Sequence, residues 1–131
     1  MGSISLVAYK TIDVVYNDMS ETKPREAIDL CLQSREILGR FAPYSAYVLV
    51  NVTNISFHSQ LVQVIKETTQ VNAPFVKTTA VFGLEGLTKA LLKVIAKFSN
   101  REMLVVDSYE EGLEFLYNKA LQEERELSAK F

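Results

Sequence analysis

The side chains best placed to do chemistry gather in one short segment, Thr53-Asn-Ile-Ser-Phe-His-Ser59. Ser56, His58 and Ser59 bring two hydroxyls and an imidazole to the point where a strand gives way to a helix. Unpaired N–H groups at a helix start can hold an anion or a phosphate group. The same hydroxyls can instead cap the helix while Phe57 plugs the core. His58 is the sole histidine. No Cys, Asp or Glu shares its loop, so it lacks the company a metal site needs. Nothing beside it reads as a nucleophile awaiting a general base. The plain expectation for His58 is a solvated loop residue.

Other polar residues offer weaker chemistry. Gly83-Leu-Glu-Gly86 followed by Lys89 has the look of a phosphate loop but fits neither common glycine-rich fingerprint. Gly83 suits a tight strand-to-helix turn. Lys89, Lys93 and Lys97 fall at i, i+4 and i+8, a basic stripe that could meet acidic headgroups or other anions; the alternative is a solvated helix face. Cys31 falls on an apolar helical stripe, which predicts a buried thiol. No carboxylate pair is worth naming. Glu110 and Glu111 point in different directions on a helix, and Ser108 and Glu111 have the spacing of a capping box.

The elements that carry these groups follow from periodicity. Residues 4–16 are rich in β-branched and aromatic types and predict one strand or a hairpin. A first helix opens near Thr22, with Pro24 in its first turn. Ala27, Leu30, Cys31, Ser34 and Leu38 form its stripe, and Gly39 stops it. Residues 45–52 are almost continuously apolar, as in a strand covered on both faces. A second helix starts at Ser56 or Ser59, frays over 68–72 and ends before Pro74. Residues 75–82 form the next strand. A further helix carries Leu87, Ala90, Leu91, Val94, Ile95 and Phe98 on one face. Residues 103–106 form a short strand, and a last helix buries Leu113, Leu116, Tyr117, Ala120 and Leu121, with Phe115 beside that stripe. Residues 122–131 are expected to fray. The alternation predicts a single α/β domain over 1–131, with a mixed, mostly parallel sheet of four to five strands and about four helices.

Composition narrows the function class. A net charge of -2 gives no general attraction to nucleic acid. A lone cysteine excludes an internal disulfide and points to a reducing, cytoplasmic setting. No apolar run approaches the ~18 residues of a membrane-spanning helix, and no signal-peptide pattern is visible at Met1.

Three segments carry a family resemblance: 48–59, 77–89 and 98–116, each a pattern of apolar positions with a few Gly, Asn and Asp anchors. Together they resemble the bacterial SpoIIAA-like, or STAS-like, family of small α/β domains. The resemblance implies a non-enzymatic domain without a cofactor. Members of the wider family act as regulatory partners of kinases and sigma-factor antagonists, or as cytoplasmic modules of transporters. The SpoIIAA-like branch is suspected of binding apolar ligands or associating with membranes. Phosphorylatable members carry an Asp-Ser-Ser-Gly type sequence after the Phe that matches Phe57. Here Phe57 is followed by His-Ser-Gln-Leu61, without the Asp or the Gly.

The expectation is therefore a binding module for a small apolar or lipid-like ligand or a membrane surface. Its ligand or partner would meet Ser56, Phe57, His58, Ser59, Leu84 and Leu87, and Lys89, Lys93 and Lys97 would face a membrane or an anion. The alternative is a protein-interaction switch controlled by phosphorylation of Ser59 or Ser56. Monomer and homodimer both stay open.

Overall fold

The segment that the sequence leaves as one strand or two folds as a hairpin. In the computed structural model, which describes residues 2–86, 89–90 and 103–130, β1 (Ser3–Tyr9) pairs antiparallel with β2 (Ile12–Asp18). Tyr9 stands opposite Ile12, so Lys10 and Thr11 make the turn. Lys10 sits at φ +53°, the left-handed region that tight hairpin turns require. A lysine there costs on the order of 1 kcal/mol, which is why turn chemistry does not announce this position.

From β2 the chain alternates. Helix α1 (Pro24–Leu38) leads to β3 (Ala46–Asn51), and α2 (Ser59–Asn72) leads to β4 (Val76–Phe82). The described chain then resumes at β5 (Met103–Val105) and α3 (Tyr109–Lys130). The sheet order is β1-β2-β3-β4-β5, with every pair after the hairpin parallel. The expected fold class holds. The described residues contain three long helices, and Gly86, Lys89 and Ala90 are helical as well.

Helix α1 follows its stripe: Ala27, Leu30, Cys31, Ser34 and Leu38 are all buried. It opens two residues later than expected, with Lys23 as N-cap. Thr22 instead donates its hydroxyl to Met19 O at 2.8 Å. The backbone N–H of Lys23 donates to Glu26 Oε1 at 3.3 Å. Helix α2 does not fray over 68–72, because Thr68 and Asn72 are themselves buried. Helix α3 likewise runs on through the tail expected to be loose. Glu123 within that tail pairs with Lys77 and accepts from the Tyr47 hydroxyl. At its start, Glu111 N–H donates to Ser108 Oγ and Glu111 Oε2 accepts from Asp107 N–H, both at 3.1 Å.

Strand alternation sends side chains to two cores. One face carries Val14, Leu49, Ala80 and Phe82 against Leu113 and Leu116 of α3, with Phe115 partly buried at its edge. Gly112 lets α3 approach closely; a Cβ there would overlap Leu49 Cδ1. The opposite face carries Val15, Val48, Val52, Val76 and Val81 toward α1 and α2.

Two features pin the ends of the sheet. Beyond β4, Gly83 has φ +95°, and a Cβ there would overlap Thr53 Oγ1 and lie 2.6 Å from Thr53 N. Replacing Gly83 by Ala is therefore expected to lower stability by about 1–3 kcal/mol. Urea unfolding would show it as a lower midpoint at unchanged slope.

The second feature joins the hairpin to α3. Tyr9 donates to Glu114 Oε2, Lys10 pairs with the same carboxylate, and the Lys10 ammonium lies 4.7 Å from the Tyr117 ring centroid. Tyr9, and then Lys10, hold the Glu114 carboxyl below its ordinary range. A depressed carboxyl pKa stabilises the fold above the unfolded value of about 4.3, and that stability is lost as pH falls through the folded value. The Tm advantage of the wild type over Glu114→Gln is thus expected at neutral pH and to vanish on acidification. Thermal unfolding across that range checks it.

Candidate ligand-binding cavity

A cavity of about 140 Å³ lies between the sheet and the α1–α2 layer. Its floor is Val15 of β2, Val48 and Val50 of β3, and Val81 of β4. Its roof comes from Cys31 and Ser34 of α1 and from Thr68 and Thr69 of α2. The gap follows from side-chain length. Short roof residues stand over short valines, so neither layer fills the space between them. Phe57, Met19 and Val52 line one end; Leu38, Asn72 and Val76 line the other. The register places Val52 six residues along β3's direction from Ala46, which pairs with Val76. The cavity is therefore elongated along the strands.

The lining is apolar with a few polar atoms, and none of its described residues is charged. Ser34 Oγ donates to Cys31 O at 2.6 Å and accepts from Asn72 Nδ2 at 3.2 Å. Asn17 and Asn72 are among the lining residues, and the Oδ1 of each is fully buried and makes no hydrogen bond among the described residues. A buried acceptor left so costs about 1–3 kcal/mol. Thr68 Oγ1 accepts from Arg35 Nε at 2.9 Å, and Arg35 Nη2 lies 4.0 Å from Glu67. Burial pushes the Cys31 thiol up to about 11, against a smaller opposing effect of Arg35. At neutral pH it is a protonated wall group rather than a nucleophile.

The lining residues differ in exposure. The lining residues of β2 and α1 are buried, whereas Ile65 and Thr69 of α2, Thr79 of β4 and Met103 of β5 are partly exposed. Val50 of the floor and Phe57 at one end are partly exposed as well.

The structure redistributes the residues that the sequence brings forward. Phe57 lines the cavity. His58 is not a solvated loop residue, and neither serine caps α2. His58 itself is the N-cap: its Nδ1 accepts from Leu61 N–H at 3.2 Å, so the ring proton resides on Nε2. That Nε2 is buried without a partner among the described residues. The serines lose the role because Ser59 is already the first helical residue and Ser56 is exposed outside it. Leu84 is buried in the core cluster with Leu30 and Leu61 and is not among the residues that line the cavity. Lys89 pairs with Asp107 at 2.6 Å. Leu87, Lys93 and Lys97 lie outside the described residues.

Asn17, Ser34 and Asn72 escaped the sequence reading as site residues. The available signal was a polar residue on a buried stripe: Ser34 sits among Leu30, Cys31 and Leu38, and Asn17 alternates with buried Val15. Among the described residues, no three His, Cys, Asp or Glu are placed to hold a metal ion. No described helix is long and apolar enough to cross a membrane.

No family model matches this chain, and no curated protein matches it. Among solved structures it resembles an uncharacterized protein of the DUF3478 family with a SpoIIAA-like fold from Shewanella loihica PV-4. The TM-score is 0.71 at 11% identity, over 88% of this chain and 93% of that one. The chain thus has a SpoIIAA/STAS-like fold. The two sequences share the arrangement of elements and little else.

The cap makes a direct prediction. His58→Ala should lower stability by about 1 kcal/mol, the usual cost of an N-cap side chain. Ser59→Ala should stay within about 0.5 kcal/mol of wild type. Amide hydrogen exchange at Leu61 reports the difference site by site.

Proposed function

We propose that this protein is a non-enzymatic binding domain that takes a small apolar molecule, or one short alkyl chain, between its α1–α2 layer and its sheet. The observation that carries the reading is the cavity of about 140 Å³ floored by four valines. A dry cavity of roughly 150 Å³ with aliphatic walls holds one benzene-sized guest. The volume falls below the roughly 300–1,000 Å³ of sites for drug-sized ligands, so it suits one chain rather than a whole lipid. Each methylene moved from water into such a site contributes about 0.8 kcal/mol. The fold is consistent with this reading without arguing for it, since the matched structure is itself uncharacterized.

The competing reading is a docking switch thrown by phosphorylation of Ser56 or Ser59. It has in its favour the exposure of both residues. A membrane surface built on the lysine stripe is weakened by the engagement of Lys89 with Asp107.

Titration with 1-hexanol tests the main reading. It should shift the methyl resonances of Val15, Val48 and Val50 and raise Tm in proportion to occupancy. Val50→Phe, which fills the floor, should abolish both effects while leaving the protein folded. Unmoved floor methyls in the wild type at saturating alcohol would refute the reading.

A further inference from the structure

Strand β1 is an open edge. In the sheet order it has β2 on one side and no strand among the described residues on the other. Its register with β2 runs without a shift from the Tyr9–Ile12 pair to the Ser3–Asp18 pair. A two-residue hairpin closes on a hydrogen-bonded pair, and such pairs alternate along an antiparallel ladder. Tyr9, Val7, Ser5 and Ser3 therefore direct their N–H and C=O groups toward β2. Those of Ile4, Leu6 and Ala8 point away from the sheet, a template for another strand.

Edge strands commonly carry a charge, a proline or a bulge that prevents such pairing. β1 has none of these. Ser3-Ile-Ser-Leu-Val-Ala-Tyr9 is seven residues long, without a charge, a Pro or a Gly. Leu6 at its centre is 61% exposed. It borders an apolar groove shared with Ile4, Val15, Ile37 and Phe41, on the side of the sheet that faces α1.

We propose that β1 pairs antiparallel with β1 of a second copy of this chain, about a two-fold axis through Leu6, and joins the two sheets into one. This register sets Leu6 against Leu6 and Ile4 against the second copy's Ala8. All the outward-pointing residues of both strands are then paired, each pair exchanging two backbone hydrogen bonds. An identical strand suits this edge for two reasons. It brings no like charges together, whereas a charged strand would find no counter-charge on β1. The two-fold axis also carries each Leu6 to the other copy's groove, so both apolar patches are covered at once. Size sets the strength. A strip about 24 Å long and about 10 Å deep buries roughly 500 Å² over the two copies. That is short of the roughly 1,000 Å² of a stable interface. The grooves supply part of the remainder, so the dimer is reversible and depends on Leu6.

Sedimentation velocity over rising protein concentration tests this. The wild type should move from the mass of one chain toward twice that mass as concentration approaches the millimolar range. Leu6→Lys should weaken association about tenfold or more, with Tm unchanged because Leu6 is exposed. Cross-linking reads the register. Cα atoms opposed in a hydrogen-bonded pair lie about 5.5 Å apart, within disulfide range. Leu6→Cys should therefore form an intermolecular disulfide on mild oxidation. Ser3 is also exposed, but Ser3→Cys should not cross-link, since its two copies would stand about 20 Å apart along the strands. Cys31, the sole native cysteine, is buried and does not compete. If Leu6→Lys fails to fold, the wild-type sedimentation and the two cysteine variants still decide. A wild type that stays monomeric throughout overturns the proposal and leaves the edge to a strand from a different protein. A dimer that survives Leu6→Lys, or equal cross-linking from Ser3→Cys, overturns it as well.

Discussion

Central strand β3 has to be covered on both faces, and the rest of the fold is arranged around that requirement. Its neighbours β2 and β4 run parallel to it, so each is reached through a helical crossover rather than a tight turn. Those crossovers, α1 and α2, cover the face bearing Val48 and Val52. Helix α3 returns to cover the face bearing Leu49, which is 0% exposed. The two coverings differ. Against α3 the sheet offers Leu49, Phe82 and Tyr16, and the Tyr16 ring meets Tyr109 of α3 with centroids 5.1 Å apart. Against α1 and α2 it offers valines, and the helices answer with Cys31, Ser34, Thr68 and Thr69. One face is filled with large side chains; the other keeps a space.

Polar residues also border that space. A protein interior normally pairs its buried oxygens and nitrogens, and an unpaired one is a standing cost. Here the Cys31–Ser34–Asn72 chain satisfies every member but the last oxygen. The arrangement ties α1 to α2 and leaves one oriented acceptor buried without a partner among the described residues.

The sequence shows the architecture well because its signals are periodic. The five positions of the α1 stripe, the double-sided apolar run of β3 and the break at Gly83 all follow from spacing and from one glycine's freedom. The site is harder to see, for three physical reasons. Its walls come from six elements spread along the chain, so no local motif contains it. Its defining property is missing volume, which depends on how short side chains face each other across layers. Its polar atoms, Asn17 and Asn72, resemble ordinary surface asparagines until the packing buries them. The loop at Ser56 to Ser59 drew attention for its functional groups, yet the fold uses His58 as a cap and only Phe57 as part of the wall. The Lys10 turn stayed ambiguous because a lysine in the left-handed region carries no turn signature.

The central claim is that an apolar cavity exists ready-made between the valine floor and the α1–α2 roof. A crystal structure of the protein under xenon pressure tests it most directly. The account predicts a xenon atom in van der Waals contact with Val15, Val48 and Val50 with the helices unmoved. Absence of xenon there, with α1 and α2 packed directly onto those valines, would contradict it.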